Sequence, residues 1–167
     1  MTRRGAICAA LMVIVTLAAF LRPAAAATDI TRSSAAPQLV LRDGELSLLS
    51  RVVQAEAENQ PVAGQRAVAW TAVNRLRAGG YGKTLAQVLQ RPYQYARPKR
   101  RNPDSTAYRT ALMSALMAVR GAGEDPGFGA THFIRCDMKR KPAWVAKLKP
   151  TIRIAQHCFY KSKEPTR

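Results

Sequence analysis

Val52-Val53-Gln54-Ala55-Glu56-Ala57-Glu58-Asn59-Gln60-Pro61 is the stretch from which the rest of the chain is read. Leu46, Leu49, Val53 and Glu56 recur at i, i+3, i+7 and i+10, so on a helix they share one side. A carboxylate on an apolar face is costly unless it is neutral or hydrogen-bonded, and its pKa is driven upward. Such a group serves as a general acid near neutral pH. The alternative is an ordinary glutamate at a helix end, with Pro61 as the stop. Glu58, at i+2, points away from Glu56.

The helix is expected over 44–58 with Asp43 as its N-cap, and a second helix from Pro61 to Gly79-Gly80. Val62, Val68, Ala69, Trp70, Ala72, Val73 and Leu76 cover more than half of the second helix, which makes it the central one. Asn74 lies among them and needs partners; it either supports Glu56 or meets a polar ligand. Thr84-Leu85-Ala86-Gln87 has capping-box spacing and starts a short third helix. A fourth is expected over 105–120, capped by Asp104, with Tyr108, Ala111, Leu112, Ala115, Leu116 and Val119 as its stripe. Beyond Asp125-Pro126-Gly127 the runs 130–134 and 151–160 are rich in β-branched and aromatic residues and read as two strands. The fold class is therefore α+β: mainly helical, with a small antiparallel β-hairpin.

Arg3 and Arg4, the uncharged run Gly5–Phe20 and the small residues Ala24–Ala27 have the form of a signal peptide over 1–27. Residues 28–38 read as an irregular leader and 39–163 as one domain. Removing 1–27 also removes Arg3, Arg4 and Arg22, and the formal charge falls from +17 to +14 over the remaining 140 residues. So basic a protein seeks a polyanion: a carboxylate-rich wall polymer, an anionic membrane surface or nucleic acid. No nucleic-acid recognition motif accompanies the charge, and export argues against that partner. Cys8 goes with the leader, leaving Cys136 and Cys158 as a pair in an oxidising compartment, where a disulfide is expected. No metal-ligand spacing is present, so no metal and no cofactor is expected.

The ordered segments Gln54-Ala55-Glu56-Ala57, Gly64-Gln65-Arg66-Ala67-Val68-Ala69, Val73-Asn74-Arg75, Gln94-Tyr95, Gly129-Ala130-Thr131-His132-Phe133, Pro142-Ala143-Trp144 and Ile154–Tyr160 resemble the SleB-like cell wall hydrolases, the family of spore cortex-lytic enzymes. The resemblance spans about 46–160. It implies a lysozyme- and lytic-transglycosylase-related fold, cleavage of peptidoglycan glycan strands, and Glu56 as the catalytic acid. Ala55, Glu58, Asn59 and Gln60 depart from the family's Gly-Glu-Ala-Arg-Gly-Glu pattern around that acid, and the segment after Tyr95 is unusually basic.

Candidate substrate-binding residues are Asn74, Gln94, Tyr95, His132, His157 and Tyr160. Gln94 and Tyr95 either line a glycan groove or anchor a loop. His132, His157 and Tyr160 either bond Glu56 or substrate, or are satisfied core residues. Trp144, beside a proline, reads as core packing, and Lys99-Arg100-Arg101 as a solvated basic face. No second catalytic carboxylate is evident, which favours a lytic transglycosylase, using one acid and the sugar's own 6-hydroxyl, over hydrolysis by water. The reading is thus an exported, wall-associated monomer without a lasting membrane anchor. Its rival from another class is a non-catalytic basic protein binding walls or nucleic acid.

Overall fold

The computed structural model describes residues 39–163; the expected signal peptide and leader lie outside the described residues. Four helices, α1 (Glu45–Ala57), α2 (Val62–Ala78), α3 (Leu85–Gln90) and α4 (Thr106–Arg120), precede three strands, β1 (His132–Arg135), β2 (Leu148–Ile154) and β3 (His157–Ser162). A 3-10 turn, Ala143–Lys147, leads into β2. The sheet is antiparallel in the order β1-β3-β2. Among the described residues no helix is long and apolar enough to cross a membrane.

Helical periodicity places the core. Leu49, Val52, Val53 and Ala57 of α1 meet Ala67, Val68, Ala69, Trp70, Ala72 and Val73 of α2 and Ala111, Ala115, Ala118 and Val119 of α4, all buried. The alanines of α2 and α4 let the backbones approach closely, and α2 is the central helix expected of it. Its first residue is an exception: Val62 is 56% exposed. Phe159, wholly buried, brings β3 into this core, whereas Ile134, Val145 and Tyr160 form a small second cluster.

Two caps differ from expectation. The N-cap of α1 is Gly44, in the left-handed region at φ 80°, and no side chain caps it. The carboxylate here that engages backbone amides is Glu45, and those amides lie outside α1. Its Oε2 accepts from Arg42 N (2.9 Å) and its Oε1 from Ala86 N (2.8 Å), so one buried carboxylate serves the free amides before α1 and in the first turn of α3. For α4 the cap is Ser105, whose hydroxyl accepts from Tyr108 N, not Asp104. The Thr84 cap of α3 stands as expected, accepting from Gln87 N.

The run 151–160 is not one strand. It reverses at Ala155-Gln156, giving three strands where two were expected. The reversal is hard to read locally because neither residue is Gly, Asn or Asp, and Ala155 sits at φ 47°. Distant partners hold it. Gln60 Nε2 donates to Gln156 Oε1 (3.2 Å), Gln60 Oε1 accepts from Gln156 N (3.2 Å), and Cys136 N donates to Gln156 O (2.8 Å). Gln60 is buried at the α1–α2 corner, so the amide clasps the hairpin onto the helical layer. Gln60→Ala should cost about 2 kcal/mol, read as a lower melting temperature, since three side-chain bonds go and buried groups are left unmatched.

Cys136 and Cys158 are bonded, with Cα atoms 5.2 Å apart and a sequence separation of 22. The bridge ties the end of β1 to β3. By loop-closure entropy, Cys158→Ser should cost about 3 kcal/mol, measured by denaturant unfolding against oxidised wild type.

Candidate active site

Glu56 stands on the last turn of α1, partly buried, where the apolar stripe runs out. Its Oε1 accepts from the Ala96 N–H. Burial pushes the carboxyl above the ordinary value, while the Ala96 amide and the nearby Arg75 charge pull it back in part. The net direction is upward, as the apolar setting of Glu56 in the sequence implied.

Arg75 is the residue that sequence reasoning missed. It is 4% exposed, on the inner side of α2. Its Nε donates to Thr131 O (2.6 Å), and the guanidinium lies 4.8 Å from the Tyr95 ring centroid and 5.4 Å from that of Tyr81. Two π faces and a carbonyl replace part of the water it gave up, and its Nη1 is buried without a partner among the described residues. From here its charge acts on Glu56, Tyr95 and His132. The signal was present: Val68, Ala72 and Arg75 fall at i, i+4 and i+7 of the central helix, so the arginine is as conspicuous there as Glu56 is on α1.

Thr131 organises the facing wall. Its N–H donates to Tyr160 O (2.9 Å), its carbonyl holds Arg75, and its hydroxyl meets His132 Nδ1 at 2.9 Å. The His132 ring lies 6.0 Å from Tyr81 and 5.4 Å from Trp144, centroid to centroid. Burial first, and Arg75 second, pull its pKa down to about 4, so it is a neutral imidazole at pH 7. Tyr95 is partly buried and pushed up to about 12, mainly by desolvation, and stays a phenol.

Arg75, Tyr93, Gln94, His132, Phe133 and Trp144 line a cleft of about 250 Å³. Glu56 lies beside this lining, held through Ala96, two residues past Gln94, and within the field of Arg75. Tyr93 is fully exposed and takes a left-handed φ of 61°, an uncommon choice for a side chain that offers its ring to solvent. Trp144, expected in the core, is 42% exposed at the cleft wall.

Of the candidate residues, Glu56, Gln94, Tyr95 and His132 come together; Asn74, His157 and Tyr160 do not. Asn74 Nδ2 donates to Asp125 Oδ2 (2.8 Å) and Ala130 O (3.0 Å), fixing the turn before β1 rather than supporting Glu56. His157 packs on the helical side of the sheet, 5.2 Å from the Phe133 ring and 6.1 Å from Phe159. Burial lowers its pKa, with Arg135 adding to the effect. Tyr160 is the register partner of His132, but its ring belongs to the cluster with Ile134 and Val145. Strand alternation separates these two: His157 and Phe159 face one way, Cys158 and Tyr160 the other.

Glu45, Glu58, Asp125 and Asp137 are occupied elsewhere. Glu45 caps α3, and Glu58 pairs with Lys99. Asp125 accepts from Gly127 N, Gly129 N and Asn74, and Asp137 pairs with Arg135. Among the described residues no three His, Cys, Asp or Glu gather as a metal site.

A helical layer on a small antiparallel sheet is the fold of the SleB catalytic domains. The SleB catalytic domain of Bacillus cereus superposes with a TM-score of 0.61 at 22% identity, covering 75% of this chain and 95% of that one. The catalytic domain of the germination-specific lytic transglycosylase SleB from Bacillus anthracis gives 0.59 at 22% identity, over 72% and 96%. The cell wall hydrolase family profile matches residues 59–160, and the chain belongs to that family. A spore cortex-lytic enzyme of Halalkalibacterium halodurans is 30% identical over 119 residues, 70% of this chain; the chain spans about a third of that relative's length (34%). The matched profile begins three residues after Glu56, so the position of the acid rests on its own geometry.

Proposed function

We propose that the protein cleaves the glycan strands of peptidoglycan as a lytic transglycosylase, with Glu56 as its only acid/base. What carries this reading is the upward-shifted Glu56 carboxyl beside an aromatic cleft, with the neighbouring acids engaged elsewhere. The family and the solved relatives support the substrate class.

In this reading the protonated carboxyl gives its proton to the glycosidic oxygen as the C1–O bond breaks. The resulting carboxylate then takes the proton of the same sugar's 6-hydroxyl, whose oxygen closes on C1 to form an anhydro ring. The proton count balances and Glu56 returns to its starting state. The Ala96 N–H steadies the anionic stage, and Arg75 sets how readily the proton leaves. Trp144 and Tyr93 offer exposed ring faces for sugar stacking, Gln94 an amide for hydroxyl or acetamido groups, and His132 a neutral ring nitrogen. Residues 1–27 act as an export signal and 39–163 as the catalytic domain, placing the monomeric enzyme at the wall.

Mass spectrometry of muropeptides released by the purified protein tests this. Anhydro ends are expected; reducing ends would replace the transglycosylase by a hydrolase. No release of any product, with wall binding intact, would favour the non-catalytic wall-binding reading.

A further inference from the structure

A second groove, of about 570 Å³, lies between α1 and the basic strap and is lined by Gln54, Lys99, Arg100, Arg101, Asn102 and Pro103. The strap is tied to α1. Lys99 N donates to Arg51 O (3.3 Å), Arg51 Nε donates to Lys99 O (2.5 Å), and Lys99 Nζ bonds Glu58. Three residues earlier the same strap supplies the Ala96 N–H that holds Glu56. The four steps from Ala96 to Arg100 reach at most about 14 Å, so the groove opens within one extended segment of the acid.

The chemistry of the lining is specific. Glu58 neutralises Lys99, and Asp104 follows just past Pro103. Arg100 and Arg101 form no ion pair among the described residues. Gln54 is 7% exposed. Its Nε2 donates to Glu58 Oε2 (3.5 Å), while its Oε1 is buried without a partner among the described residues. The groove therefore presents two free guanidinium groups, and its Gln54 holds an unmet acceptor just below the surface, which together suit a ligand with both carboxylates and an N–H donor.

We infer that this groove binds the peptide stem that hangs from the glycan strand, its carboxylates on Arg100 and Arg101 and a backbone N–H on Gln54 Oε1. The inference rests on peptidoglycan being the substrate. A phosphate polymer would meet the arginines but brings no N–H for Gln54, so the peptide is the better match. The strap thereby selects stem-bearing glycan over bare glycan.

Fluorescence polarisation with a dye-labelled Ala-γ-Glu-diaminopimelate-Ala tetrapeptide and the purified protein reads this without any bond being cleaved. Replacing both arginines (Arg100→Gln, Arg101→Gln) should raise the peptide Kd about tenfold, two exposed charge pairs at a few-fold each. Gln54→Leu should raise it about threefold. Polyglycerol phosphate at equal charge should displace the labelled peptide poorly. Equal binding by wild type and the double variant, or displacement by polyglycerol phosphate as effective as by unlabelled peptide, would overturn the proposal. With cleavage as the readout, the preference for intact peptidoglycan over amidase-stripped glycan should fall about tenfold in the double variant; an unchanged preference overturns it. Peptide binding by a protein that cleaves neither substrate would keep the groove and sink the enzymatic reading, so the two failures are distinct.

Discussion

Glu56→Gln is expected to lower peptidoglycan cleavage by about a thousandfold while leaving sedimentation with purified walls unchanged. The size follows from the loss of a general acid that has no substitute nearby, since acid/base catalysis contributes roughly 10²–10⁴-fold. Glutamine keeps an acceptor for the Ala96 N–H, so the loss is chemical rather than structural. The same variant has a second signature. A carboxyl whose folded pKa is raised binds its proton more tightly folded than unfolded, and its burial penalty is absent at low pH and present once the pH exceeds the raised value. Removing the charge removes that penalty. Glu56→Gln should therefore melt above wild type at neutral pH, with the gap closing as the pH falls below the ordinary carboxylate range. Dye release from labelled walls and calorimetry across pH check both halves. A variant that lyses walls like wild type would end the assignment of Glu56.

Arg75→Gln is expected to be the most damaging single change to the site's framework, costing about 4 kcal/mol. It deletes a charged hydrogen bond to Thr131 O and two ring contacts, in a place water cannot easily refill. A purely structural arginine would show only that loss. The electrostatic role adds a displaced pH profile. The Arg75 charge lowers the Glu56 pKa, so removing it leaves burial opposed only by the Ala96 amide, and the pKa rises further. The alkaline limb of the activity profile, where the acid loses its proton, should move to higher pH. Arg75→Lys keeps the charge and should leave the limb near its wild-type position, while still losing the Nε hydrogen bond to Thr131 O and the stacking geometry. An alkaline limb that stays put in Arg75→Gln would reduce Arg75 to scaffold.

The cleft and the basic groove share the strap from Gln94 to Arg101. Its Ala96 end serves the proposed chemistry through a backbone amide, a contribution any residue but proline can make. Its Arg100-Arg101 end carries side chains that do nothing for the core, in keeping with a role in choosing substrate.

Legibility in the sequence followed the range of the interaction. The four helices, the burial of α2, the Thr84 cap and the acid on the apolar stripe of α1 could be read from residues three or four apart, because side chains at those spacings meet on a helix whatever the rest of the fold does. The Cys136–Cys158 bond was legible because only two cysteines follow the leader. Tertiary structure alone decided the remainder. The hairpin at Ala155-Gln156 is held by Gln60, 96 residues away, so no local turn signal was required. Trp144 is a cleft wall rather than core because the 3-10 turn that carries it sets it against His132. Arg75 became the hub because Thr131, Tyr81 and Tyr95 converge on it from three other segments. Periodicity told which faces are apolar and that Glu56 was misplaced among them. Only the folded chain determined that an amide 40 residues on would meet its carboxylate, since that contact depends on backbone position and not on the residue placed there.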